Sequence, residues 1–176
     1  LLNAGPGAGL RVEGRSQPDG SPPNIHWTLV DGGYFDALEL DLRAGRVFGE
    51  SDGNDAPSVA VLNETAARMH FPGGEAIGAR IRTGLDGEDW VRIIGIVADT
   101  RDRGLDAPAP PRMYRPLAQT TRWNPDAAQL ILAGSAIPRP DALRLAVNAV
   151  EPGAPVTGVE PLEQLVRRSF GDRRLL

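Results

Sequence analysis

The chain has 176 residues, 41% of them hydrophobic and 24% charged, with a net charge of −4 and no cysteine. That length can bury a real core as one domain or two small lobes, and the composition is that of a globular protein rather than a disordered one, even with 21 glycines and 16 prolines. No basic cluster with interleaved aromatics speaks for nucleic acid, and without cysteine there is no disulfide framework and no cysteine-based metal or nucleophile site.

Residues 5–23 are rich in Gly, Pro, Ser and Asp and read as loop, apart from Leu10-Arg11-Val12, which can pair as a short strand. Ile25 to Val30 is β-branched and aromatic enough for a strand and stops at Asp31-Gly32-Gly33. A short helix through Tyr34, Phe35 and Leu38 follows, and Leu40 to Val47 returns as an extended arm. The stretch from Gly49 to Pro57 is turn-forming throughout and marks a boundary.

A second block begins with the apolar strand Ser58 to Leu62. Asn63 is suited to cap a helix over Glu64 to Phe71, because its side-chain oxygen can accept from the free backbone N–H groups of the first turn; Pro72-Gly73-Gly74 ends that helix. Ala79–Thr83 and Trp90–Ala98 form a hairpin around Asp86-Gly87. Ile93, Ile94, Ile96 and Val97 are too continuous for a half-exposed strand, so burial on both faces is expected.

In the last block Gln129 to Ala133 reads as a strand. Pro140-Asp141 opens a helix with Leu143, Ala146, Val147 and Val150 at i, i+3, i+4 and i+7, and Pro152-Gly153 stops it. Val156 to Val159 reads as a strand, and Pro161 starts a closing helix with Leu162, Leu165, Val166 and Phe170 on one stripe. Glu163 in its first turn and Arg167-Arg168 in its last suit the helix dipole. No window approaches the roughly 20 apolar residues of a membrane span, and no signal peptide is visible. The opening Leu1-Leu2-Asn3 and the closing Arg173-Arg174-Leu175-Leu176 read as trimmed ends, so targeting elements are expected outside this sequence.

Candidate chemistry is thin. Gly5-Pro6-Gly7-Ala8-Gly9 lacks the strand before and helix after that a dinucleotide loop needs. Asp52-Gly53-Asn54-Asp55 breaks the calcium-loop spacing at Ala56. His26 and His70 have no third ligand nearby in sequence, and Ser169 lies on a helix beside arginines rather than on a strained elbow. Asp99-Thr100-Arg101-Asp102-Arg103 reads as a solvated loop of paired charges. No catalytic, cofactor-binding or metal residue is assigned, and neither a bound metal nor a bound nucleotide is expected.

Four ordered segments carry a resemblance instead. Val30-Asp31-Gly32-Gly33-Tyr34-Phe35 through Leu42-Arg43-Ala44-Gly45-Arg46-Val47-Phe48 resembles one stretch of MacB-like periplasmic core domains, departing from it at Asp31-Gly32, where Ser/Thr-Pro is usual. Val61-Leu62-Asn63-Glu64 through Phe71-Pro72-Gly73 with Ile77-Gly78-Ala79-Arg80-Ile81 resembles a second. Ile94-Gly95-Ile96-Val97-Ala98-Asp99-Thr100-Arg101 with Gly104-Leu105 resembles a third, and Met113-Tyr114-Arg115-Pro116-Leu117 a fourth. Val159 to Ser169 is similar to the helix leading such domains into their second transmembrane helix, and Val12-Glu13-Gly14 to the start of the second copy in duplicated bacterial permeases.

The resemblance implies a non-catalytic extracytoplasmic domain of an FtsX-like ABC-transporter permease of the cell (inner) membrane, relaying ATP-driven movement in efflux or mechanotransmission. Implied partners are the transmembrane helices of its own parent chain, a cognate ATP-binding subunit or domain, a second copy or pseudo-copy, and a periplasmic adaptor; isolated, the chain is expected to be monomeric. The implied fold class is α+β with two lobes: residues 1–56 and 118–176 as a discontinuous ferredoxin-like (porter-type) α/β lobe, and 57–117 as an inserted β-rich (sabre-type) lobe. Phe35 and Leu38 are then expected to share a core with Val147 or Val166, while Val61, Ile94 and Ile96 pack among themselves. The competing reading is an extracytoplasmic small-molecule-binding domain with a ligand in the cleft between lobes, around Trp90, Trp123 or Tyr114.

Overall fold

The computed structural model describes residues 7–15, 23–84, 86, 89–100, 108–120, 128–134, 136, 138–162 and 164. The chain divides into two compact units, Leu2–Leu130 and Ile131–Leu176. Among the described residues seven strands form one sheet: β1 (Gly7–Val12), β2 (Asn24–Val30), β3 (Leu42–Gly45), β4 (Val59–Asn63), β5 (Arg80–Thr83), β6 (Val91–Val97) and β7 (Arg112–Pro116). The helices are α1 (Tyr34–Ala37), α2 (Glu64–His70) and α3 (Pro140–Val150).

The sheet order is β3-β6-β4-β7-β2-β1-β5, and β5 also pairs with β6, so every strand except β3 belongs to a closed ring. β3 lies against the end of β6 that β5 leaves free, pairing Leu42 with Val97 and Gly45 with Gly95, while β5 pairs with Val91 and Arg92. Two pairings are parallel, β2 with β7 and β4 with β6.

The inside of the ring is the main core. Leu10, Ile25, Trp27, Ala60, Leu62, Ile81, Val91, Ile93 and Met113 meet there, with Ala66, Phe71 and Ala76 from α2 and the turn after it. A second core lies on the outer side of β2, β7, β4 and β6, where α1 and the arm after β3 bring Phe35 and Phe48 onto Val30, Val59, Val61, Val97 and Tyr114. Phe35 sits edge-on to Tyr114, ring centroids 5.2 Å apart, and 5.6 Å from Phe48. Fully burying a side chain of this size contributes about 1.5–3 kcal/mol.

The two cores explain the long apolar run in β6. The register with β4 shifts between Ala60–Ile93 and Val61–Gly95, leaving Ile94 as an extra residue. Such a bulge exchanges the faces of a strand. Val91 and Ile93 therefore point into the ring and Val97 into the outer core, as the continuity of the sequence required. Val61 and Ile94 belong to the outer core and Ile96 to the inner one, so these three are divided between the cores rather than packed together.

The expected division of the chain is corrected on three points. Residues 24–45 are not apart from 57–117: β2 pairs with β7 along its length and β3 with β6, so Phe35 shares its core with Val59, Val61 and Val97. The reason is that a strand takes its partner from whichever edge accommodates its apolar face, which a local pattern does not reveal. Residues 129–133 form no strand, and Leu130 and Leu132 are exposed. Residues 156–159 likewise form none. Other elements stand where the sequence puts them, including the Asn63-capped α2, the β5–β6 hairpin and α3, whose Leu143 and Val147 are half-buried. Of the closing helix only Leu162 and Gln164 are described, and Val166 lies outside the described residues.

Candidate functional site

The polar groups of greatest density lie where α2 begins. Asn63 closes β4 and is fully buried. Its Oδ1 accepts from the Ala66 N–H at 2.9 Å and the Arg112 N–H at 2.8 Å, and its Nδ2 donates to the Pro110 carbonyl at 2.9 Å. One side chain thus ties β4, α2 and the strand entry of β7 together. Asp99, just after β6, accepts from the Thr65 N–H at 2.9 Å, the Thr65 hydroxyl at 2.7 Å and Arg68 at 3.1 Å. A carboxylate and an amide oxygen both face the unpaired N–H groups of the first turn, the placement that helix ends favour. Asp99 is therefore a helix brace rather than a member of a solvated charge run; residues 101–103 lie outside the described residues.

A second brace fixes the arm after β3. Arg46 donates to both carboxylate oxygens of Asp52, at 2.6 and 2.8 Å, and Asp52 also accepts from the Gly49 N–H at 2.9 Å. The Arg46 hydrogen bonds hold the Asp52 carboxyl below its usual pKa, against the opposing effect of burial. The backbones of β3 and β6 approach closely here: a Cβ on Gly95 would stand 2.1 Å from the Arg46 carbonyl oxygen, and one on Gly45, at φ +72°, 2.2 Å from that of Ile94. Asp52 is thus buried in an ion pair, not a ligand of a calcium-like loop.

Sequence reasoning missed two buried arginines of β7. Arg115 pairs with Asp86, both nearly sealed from solvent, and Asp86 accepts from the Thr83 N–H at 2.8 Å and hydroxyl at 2.7 Å. The Arg115 guanidinium also lies 5.9 Å from the Trp27 ring centroid. Burial lowers its pKa and Asp86 opposes that shift. Arg112 reaches the Thr28 hydroxyl at 3.2 Å. The only hint in the sequence was charge at the first and fourth residues of a five-residue strand, which equally reads as an edge.

The structure does not bring the remaining candidates together. His26 lies in β2, and His70 ends α2, buried, with its pKa lowered by that burial. Gly7 and Gly9 are strand residues of β1, and Ser169 and Trp123 lie outside the described residues. Tyr114 is sealed in the outer core, whereas Trp90 lies beside Arg82 at the turn end of the β5–β6 hairpin. Among the described residues no group of three His, Asp or Glu could hold a metal ion, and no helix is long and apolar enough to cross a membrane. An open groove of about 360 Å³ runs between α2 and β6, lined by Ala67, Phe71, Pro72, Ala76 and Ile96, with Arg68 at its rim.

A comparison with curated proteins gave no match. Among solved structures, the chain is similar to the periplasmic region of MacB from Actinobacillus actinomycetemcomitans at 18% identity and a TM-score of 0.57, over 82% of this chain and 63% of that one. It is similar to a domain of a putative permease protein from Porphyromonas gingivalis at 17% identity and a TM-score of 0.50, over 82% of this chain and 59% of that one. The extracellular domain of the noncanonic ABC-type transporter YknZ from Gram-positive bacteria matches over 63% of this chain and 52% of that one, at 18% identity and a TM-score of 0.43. The chain thus spans less than two thirds of the length of these neighbours. A family model described as the MacB-like periplasmic core domain matches residues 7–165, nearly the whole chain, and the chain belongs to that family.

Proposed function

We propose that this chain is the extracytoplasmic domain of an ABC-transporter permease and acts as a stiff, non-catalytic lever. ATP binding and hydrolysis on the other side of the membrane would move the parent chain's transmembrane helices, and the domain would carry that displacement outward to a second copy or an adaptor. The carrying observation is where the family-patterned polar residues are placed: Asn63 and Asp99 hold secondary elements to one another, and Arg46 holds the arm after β3 through its bonds to Asp52. Braces of this kind across a closed ring of strands suit a body that must move without deforming, because hydrogen bonds fix geometry where apolar contact only favours proximity.

The test uses the parent permease with its ATPase in lipid nanodiscs. Spin labels at the exposed positions Asp36 and Glu75 report distance within one domain, and labels at Glu75 on two copies report distance between domains. A lever keeps the first distance fixed between nucleotide-free and ATP-bound states while the second changes. An internal distance that follows the nucleotide, or an intercopy distance that ignores it, overturns the proposal.

A further inference from the structure

The outer face of β1, β5 and the first half of β6 carries a small grid of side chains that neither core uses. Leu10, Ile81, Val91 and Ile93 point into the ring, so Arg11, Glu13, Arg80, Arg82 and Arg92, the alternate residues, point outward. The register sets Arg11 opposite Arg82 and Arg80 opposite Arg92. The Arg82 guanidinium lies over the Trp90 ring, 4.9 Å from its centroid. Glu13 pairs with Arg80 through both carboxylate oxygens. Arg11 and Arg92 are exposed, and among the described residues neither has a carboxylate within ion-pair distance.

Like charges directly opposite each other on neighbouring strands destabilise a sheet, and each of the two pairs in this register contains one arginine, Arg11 or Arg92, with no carboxylate within ion-pair distance among the described residues. Arg80 already has its counter-charge in Glu13, so Arg11 and Arg92 are the positions open to an external one. Arginine offers a planar fork that matches carboxylates in pairs, and arginine with tryptophan is the composition of protein-binding hot spots. Successive outward positions on a strand are about 6.6–7 Å apart, as are alternate side chains of an extended peptide. Glu13 serves to aim Arg80, and the regular strand spacing of the arginines, which an extended peptide matches and a fluid lipid surface does not, selects a polypeptide.

We propose that this arginine grid docks an extended acidic polypeptide with Asp or Glu at alternate positions. Because the ring is closed here, recognition runs through side chains and not through strand addition. The inference stands independently of the lever reading.

The test is fluorescence anisotropy of a labelled peptide of alternating Glu and Ser against the 176-residue chain at low salt. Saturable binding is expected, weakened about tenfold in the Arg11→Gln/Arg92→Gln variant and unchanged in Arg144→Gln, an exposed arginine of α3. Loss of the cross-strand repulsion should leave the melting temperature of the double variant equal or higher, which separates a docking role from a structural one. Equal binding of a Gln-for-Glu peptide, equal weakening by Arg144→Gln, absence of peptide binding, or binding only to phosphatidylglycerol vesicles would each overturn the proposal.

Discussion

Removing the Asn63 side chain tests whether the amide at the end of β4 is the joint its hydrogen bonds describe. In Asn63→Ala, two backbone donors lose their acceptor, the Ala66 and Arg112 N–H groups, and the Pro110 carbonyl loses a donor. A buried donor left unsatisfied costs about 1–3 kcal/mol, and a lost helix cap about 1 kcal/mol. The two amides then account for about 2–4 kcal/mol and the carbonyl, half-buried, for a smaller addition, giving about 3–5 kcal/mol against a total near 5–15 kcal/mol. With a urea slope near 2 kcal/mol per molar, the midpoint falls by about 2 M at unchanged slope. Asn63→Ser keeps an oxygen able to cap α2 but too short to serve Arg112 as well, so it should cost about half as much. Urea denaturation followed by circular dichroism reads both. A loss below about 1 kcal/mol for the alanine variant, or equal losses for alanine and serine, would refute the shared-joint reasoning.

Gly95→Ala and Gly45→Ala both push a methyl group into a carbonyl oxygen, and Gly45 also has a positive φ; losses of about 2–4 kcal/mol are expected in thermal melts, with Gly73→Ala, whose Cβ meets nothing within 4 Å, near neutral. The Asp86→Ala variant strands the buried Arg115 charge and should cost about 3–5 kcal/mol, while Asp86→Asn combined with Arg115→Met should cost less than either charge-stranding change alone. The depressed pKa of His70 means the unfolded chain binds its proton more readily, so the associated stability is present above pH 6.5 and is lost as pH falls through the lower folded value. Urea midpoints at pH 7.5 and 5.5 should therefore differ more in the native chain than in His70→Gln, and an unchanged difference would refute that assignment.

What could be read in the sequence was local. Asn63 before Glu64, Pro140 opening α3 and Asp86 in a turn between two apolar runs each carry their physical cause within a few residues, and each element stands where expected. The family segments were legible for a related reason, since they hold the turn glycines and caps that such elements need. Partner choice was not legible. Nothing near Ile25–Val30 says that it will run parallel to β7, more than eighty residues on, as its pairing of His26 with Arg112 shows. The same applies to Arg115: an arginine in a strand reads as surface until Asp86 is brought to it from another part of the ring.

The division of labour between apolar and polar residues accounts for how the chain specifies one register. Apolar burial is non-directional, and a shift of one residue along β6 would still bury isoleucines, on the wrong sides. Two features forbid that slip. Gly95 is the position that the Arg46 carbonyl approaches, so only a register with glycine there lets β3 close against β6. Asp99, just after the other end of β6, reaches the Thr65 N–H and hydroxyl at the start of α2, directly after β4, only when the bulge at Ile94 keeps Asn63 opposite Val97. A displacement applied to one strand of such a ring must be passed to its neighbours, because yielding by slippage would break both contacts at once.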